Sequence, residues 1–121
     1  MIIFNVRAGT LSTPDGIVHG KAFSGNHDGL NNPDMEQVEG VGPIPRGLYN
    51  IGEPRDGGHL GPFVMNLDPC PGTDVFGRSL FRIHGDSAND FDKTASHGCI
   101  VTSRMTREFI NGLSDRRVRV I

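Results

Sequence analysis

The alternation of apolar and polar positions divides the chain into short strand-like runs separated by turns. Ile2 to Val6 reads as a strand, with Leu11 beginning or ending its neighbour. Thr13-Pro14-Asp15-Gly16 predicts a tight turn, because Pro presets φ and Gly supplies the permissive position. Ile17 to Phe23 then forms the second arm of an early hairpin. Ser24 to Gly42 is polar and reads as one long loop; loops beyond about 12–15 residues in compact domains are usually functional or mobile. Its Asn26, Asn31 and Asn32 are candidates for a lid over a cleft. Gly42-Pro43-Ile44-Pro45-Arg46-Gly47 makes a stiff corner that feeds a strand at Leu48 to Ile51. Phe63 to Leu67 is a further short strand, Ser79 to His84 is the best central one, and Arg117 to Ile121 alternates with period two as a half-exposed final strand.

Only one stretch has helical periodicity. Ser103 can cap it, Met105, Phe109 and Leu113 recur every four residues with Thr106 and Ile110 beside them, and Asn111-Gly112 supply a stop. The fold class expected is therefore mostly β, a sandwich or mixed sheet, with one α-helix in the C-terminal half. No internal repeat or linker-like tract interrupts the chain, so residues 1–121 read as a single domain.

Composition adds exclusions to that picture. The 17 glycines and 8 prolines among 121 residues argue against a helical bundle, whose interiors exclude both types. A formal net charge of −2 gives no global field for a polyanion, and with no Trp, one Tyr and seven Phe, stacking surfaces for nucleic acid are thinly supplied. Met1-Ile2-Ile3-Phe4 is too short for a signal-peptide core, and no apolar stretch reaches the roughly 18–20 residues of a membrane span. The expectation is a soluble chain made in the cytoplasm and not exported by a signal of its own. Two cysteines, Cys70 and Cys99, leave room for one bridge at most.

Chemistry concentrates in Ser96-His97-Gly98-Cys99, between a loop and the helix start, and in Ile83-His84-Gly85-Asp86 at the end of a strand. A thiol is mostly protonated at neutral pH, and a nearby imidazole can take its proton, so a Cys99–His84 pair suits acyl transfer. Gly98 allows close backbone approach, and N–H groups of Gly98 and Cys99 near a helix start are candidates to hold an oxyanion. The bland alternative is a buried structural thiol beside a satisfied histidine. A zinc site built from His84, His97 and Cys99 with Asp86 or Asp90 has suitable ligand types, but the His97–Cys99 spacing is unlike that of paired ligands, so no metal and no cofactor is expected. Cys70, in a Pro-Cys-Pro-Gly turn, reads as structural, and His19, His27 and His59 as exposed.

The string SHGC preceded by IHG resembles the signature of the L,D-transpeptidase (YkuD-type) catalytic domain. FSGN, GPIPRGLYNIG, FRIHGDS, SHGCIVTSR and RVRVI are together similar to a compact branch that includes type VI secretion effectors delivered into a rival's periplasm. The resemblance implies a cysteine enzyme of peptidoglycan stem peptides, an L,D-carboxypeptidase, an L,D-transpeptidase, or both. Cys99 would be its nucleophile, His84 its general base, and Gly98 with Cys99 its oxyanion donors. Ser96 and His97 would line the site, while Asp86 and Arg104 are further candidates for contact with substrate. The residue after the base is Gly85, where several members have Ser or Thr, so Asp86 or a backbone carbonyl is left to orient His84. Implied partners are the peptidoglycan stem, a cognate immunity protein and a secretion apparatus, with no nucleic acid and no membrane span. The alternatives are another cell-wall cysteine peptidase or amidase, and a non-catalytic phage or wall-binding module on the same fold.

Overall fold

The computed structural model describes residues 1–86 and 97–121. Eight strands close into a mixed barrel: β1 (Ile2–Asn5), β2 (Thr10–Ser12), β3 (Val18–Phe23), β4 (Gly47–Ile51), β5 (Met65–Pro69), β6 (Arg82–His84), β7 (Ile100–Thr102) and β8 (Arg117–Val120). One helix, α1 (Arg104–Asn111), joins β7 to β8. Around the barrel the order is β1-β2-β3-β7-β6-β5-β4-β8, with β8 returning to β1. Most neighbours are antiparallel, but β1 runs parallel to β8 and β6 parallel to β7. The mostly-β class with a single helix thus holds, and the mixed sheet closes on itself and leaves no long free edge.

The period-two pattern explains which side chains fill the interior. Ile2 and Phe4 on β1, Tyr49 and Ile51 on β4, Met65 and Leu67 on β5, and Val118 and Val120 on β8 are buried, each separated by a more exposed residue. Leu11, Ile83, Ile100 and Ile110 complete a continuous core with them. Tyr49 is fully buried and donates its hydroxyl to the Pro45 carbonyl at 2.7 Å, which satisfies the polar end.

Three local expectations need correction. The strand expected over Ser79 to His84 begins only at Arg82, because Leu80 sits at φ 63°, which no strand residue adopts. The strand expected over Phe63 to Leu67 runs instead from Met65 to Pro69, since Phe63 also has positive φ, at 60°. In α1, capped by Ser103 Oγ accepting from the Thr106 N–H, the buried positions are Thr106, Arg107 and Ile110. Met105 is 80 % exposed and Phe109 38 %, so within the helix the buried face runs through Thr106 and Ile110, while Leu113, past the helix end, packs against the core. The reason lies in a distant partner: α1 packs against Gly20 of β3, where a Cβ would overlap the Thr106 side chain, so Thr106 faces inward.

The long stretch from Ser24 to Gly42 contains two single 3₁₀ turns, His27–Gly29 and Pro33–Met35. Ser24 Oγ accepts from the Ile44 N–H at 2.8 Å, and Asn26 Nδ2 donates to the Gly40 carbonyl at 2.8 Å. Asn26 is buried and Asn32 caps the second turn, so these two fasten the segment to itself. Asn31 borders a cavity described below.

Candidate active site

The parallel pair β6–β7 sets the relation between His84 and Cys99. Its register places Ile83 opposite Ile100 and His84 opposite Val101. Cys99 immediately precedes β7, so continuing the strand's alternation puts it on the side of the sheet that carries His84 and Val101. The chain from Ile100 to Thr102 becomes a strand because three consecutive residues there are β-branched, and it bonds on both sides, to β3 and β6. This strand went unrecognised in the sequence. It separates Cys99 from α1, so the nucleophile candidate sits at a strand start and the N-terminus of α1 is not beside its N–H.

His84 is 3 % exposed. Its Nδ1 lies 2.8 Å from the Gly85 carbonyl oxygen, which can only accept, so Nδ1 carries the proton and Nε2 keeps its lone pair. Burial lowers the imidazole pKa below its ordinary value, the Gly85 contact works against that, and the Arg82 and Arg107 charges reinforce it. The orienting group is thus a backbone carbonyl. Asp86 is exposed and acts on the ring only as a nearby charge.

The segment bearing Cys99 is held by a residue that sequence reasoning passed over. Arg78 is 5 % exposed, and its guanidinium donates to the carbonyls of Glu36, Pro43 (2.8 Å), Gly42 (3.0 Å) and His97 (3.3 Å). It thereby ties the 36–43 segment to the residue preceding Gly98, and stacks 5.7 Å from the Phe81 ring centroid. Gly98 has φ 123°, and a Cβ there would overlap the same guanidinium. Position 98 therefore demands glycine twice, for its dihedral and for its neighbour. Cys99, 8 % exposed, has its Sγ 3.8 Å from the Leu80 carbonyl oxygen. A lone Arg in Phe76-Gly77-Arg78-Ser79 carries no sequence signal that separates it from a surface arginine.

The family of this chain can be read at this point, because a family model described as the Tlde1 domain matches residues 19–120 and so includes both His84 and Cys99. The chain belongs to the Tlde1 domain family. These are type VI secretion effectors that target peptidoglycan, which makes the chain a member of a family of cell-wall-directed antibacterial toxins. No curated protein and no solved structure gives a significant match.

In this Tlde1 domain the other expected site residues are distributed unevenly. Asp86 and Arg104 both border a cavity of about 710 Å³ between β3, β7 and the start of α1, which also receives Lys21, Asn31, Gly85 and Arg107. Neither Cys99 nor His84 lines it, but Gly85 adjoins His84 in sequence and Val101, also in its wall, faces His84 across the ladder. Arg104 lies 4.3 Å over the Phe63 ring and pairs with Glu108 at 3.2 Å. His97 is exposed and meets Arg78 through its carbonyl. Ser96 lies outside the described residues, as does Asp90.

Neither Cys70 nor Cys99 is in a disulfide, so no bridge withdraws the Cys99 thiol. Contrary to expectation, His19 is partly buried: its ring stacks on Phe109 at 4.1 Å and its Nε2 contacts Thr13 Oγ1 at 3.0 Å. His27 and His59 are exposed as expected. Among the described residues no helix is long and apolar enough to cross a membrane.

Proposed function

We propose that this Tlde1 domain is a cysteine enzyme that cleaves the L,D bond of peptidoglycan tetrapeptide stems. The reading rests above all on the His84 arrangement: a buried imidazole whose Nδ1 proton is committed to the Gly85 carbonyl, on the strand paired with the one that Cys99 immediately precedes. Such a ring is neutral at working pH and has Nε2 available to accept a proton. His84 takes the Cys99 proton, and the sulfur attacks the carbonyl that precedes the terminal D-residue. N–H groups of Gly98 and Cys99 receive the charge on the carbonyl oxygen. The tetrahedral intermediate collapses with departure of D-alanine, whose nitrogen takes the proton held by His84, leaving a thioester on Cys99. Water resolves that thioester to give carboxypeptidase activity, or an acceptor amine resolves it to give exchange or cross-linking.

Cys99 and His84 are the catalytic residues of this scheme, and the site of action is the periplasm of a target bacterium, with an immunity protein protecting the producer. The deciding experiment incubates the protein and its Cys99→Ala variant with tetrapeptide muropeptides and weighs the products. Loss of one D-alanine, or its replacement by another amino acid, with the wild type alone is the expected result. Release of an entire peptide stem would point to an amidase, and full turnover by the variant would remove the thiol from the mechanism. Labelling of Cys99 by a carbapenem separates an enzyme from a wall-binding module, in which the thiol would be inert.

A further inference from the structure

The cavity between β3, β7 and α1 has a charge imbalance that the chemistry above does not use. Among the described residues, three cationic side chains, Lys21, Arg104 (itself paired with Glu108) and Arg107, border it against one carboxylate, Asp86. Arg107 is 6 % exposed, yet no carboxylate among the described residues lies within ion-pair distance of it. Its Nη1 donates to the carbonyls of Pro62 (2.9 Å) and Phe63 (2.8 Å), and its Nε to that of Ser103 (3.4 Å). Nη2 is left against Gly85, where a Cβ would overlap it, and Gly85 is itself part of the cavity wall. Carbonyl dipoles offset only part of the hydration a buried guanidinium loses, so an anion within reach of its remaining donors is favoured. Fixing three of its N–H groups on carbonyls also holds the remaining donors in one orientation, which suits the planar recognition of a carboxylate.

Position within the fold gives this charge its meaning. Gly85 follows His84, and Val101, opposite His84, shares the same wall, so the cationic cavity opens beside the base. In a stem peptide bound for the reaction above, only the nitrogen and Cα of the leaving residue separate its carboxylate from the carbonyl under attack. We propose that the cavity is a carboxylate subsite in which Arg107, with Arg104 and Lys21, holds the free C-terminal carboxylate of the stem peptide. This rests on the L,D-cleavage reading and adds to it the reason the enzyme would accept a tetrapeptide ending in a free acid. Asn31, whose Oδ1 accepts from the Ser24 N–H, presents its amide to the same space.

The test uses the full chain carrying Cys99→Ala, so that binding is read without turnover. Tetrapeptide stem with a free terminal carboxylate and the same peptide as its terminal carboxamide are titrated separately, with the backbone amides of Lys21, Thr102 and Ser103 followed by NMR. The free acid is expected to bind about tenfold or more tightly than the amide, as befits a charge-assisted contact in a partly dry site. Arg107 braces the fold and its loss could unfold the chain. The second variant therefore replaces the more exposed pair, Lys21→Met with Arg104→Met, and should lose most of the preference while its backbone spectrum stays folded. Equal binding of acid and amide, absence of binding by both, or a preference untouched by the double substitution would each overturn the subsite. Product analysis with the active enzyme reports separately on the bond cut. Release of a whole stem with the acid preference intact would remove the L,D reading and leave the subsite standing.

Discussion

The Arg78 guanidinium occupies the space where a side chain at Gly98 would begin. Two segments distant in sequence are thereby fitted together at the residue before Cys99, the proposed nucleophile. Gly98→Ala forces an L-residue to φ 123° and pushes Arg78 from its carbonyls, so both stability and activity suffer. The backbone term alone is of order 1–3 kcal/mol, and an ångström-scale displacement of Cys99 reduces kcat/KM by about 10². Thermal unfolding and muropeptide turnover check this; a variant with wild-type Tm and rate would show that Gly98 has no special place.

Arg78→Lys should fail as a conservative change. A guanidinium reaches four carbonyls in one fan, whereas an ammonium has three donors and no plane to lie against Phe81. Leaving buried carbonyls unpaired costs about 1–3 kcal/mol, measurable by urea unfolding. Because the His97 carbonyl is among them, turnover should fall as well, chiefly through kcat. Unchanged unfolding would mean that water replaces the guanidinium without loss.

The pH dependence follows from the lowered pKa of His84. In the range just below its ordinary value of 6.5, the unfolded chain takes up a proton that the folded imidazole refuses. The corresponding stability is complete above that value and is lost as pH falls from it toward the folded pKa. Unfolding free energy should therefore decline with acidification in this window, less steeply in His84→Gln. Activity has the opposite appearance, because a base with lowered pKa stays competent below pH 6.5, so the acid limb of kcat/KM should lie under the ordinary imidazole range. An acid limb above it would contradict a buried neutral base.

The packing of α1 against β3 gives a coupled prediction. A methyl at Gly20 would overlap Thr106, so Gly20→Ala should destabilise by roughly 1–3 kcal/mol. Adding Thr106→Ala removes the obstructing side chain and should recover part of the loss, a non-additive pair in a double-mutant cycle. Strict additivity of the two changes would show that the helix simply shifts outward.

What the sequence disclosed and what it hid divide along physical lines. Strands with clean alternation, such as Arg117 to Val120, were legible because period two is a local property. The Ser103 cap and the Gly112 stop were legible for the same reason. Hidden were features fixed by distant partners: the helix face set by Gly20, the strand at Ile100 that needs β3 and β6 on its flanks, and the break at Leu80. Within the site, Cys99 and His84 stand out by residue type, whereas Arg78 and Arg107 look like any surface arginine until their distant carbonyl partners, such as His97 for Arg78 and Pro62 for Arg107, are known.

The parallel seam between β1 and β8 has a consequence for how the chain acquires this shape. Ile2 to Phe4 pair with Val118 to Val120, so the barrel's eighth strand in chain order seats against its first. Ribosomal synthesis is vectorial, and no emerging portion that lacks residues 117–120 can complete the ring. Closure is then a late event governed by the longest-range contacts in the molecule, which are the slowest to form. Until it occurs, β1 and β4 present open edges to other chains. A barrel of this design closes only once residues 117–120 are available to seat between β1 and β4.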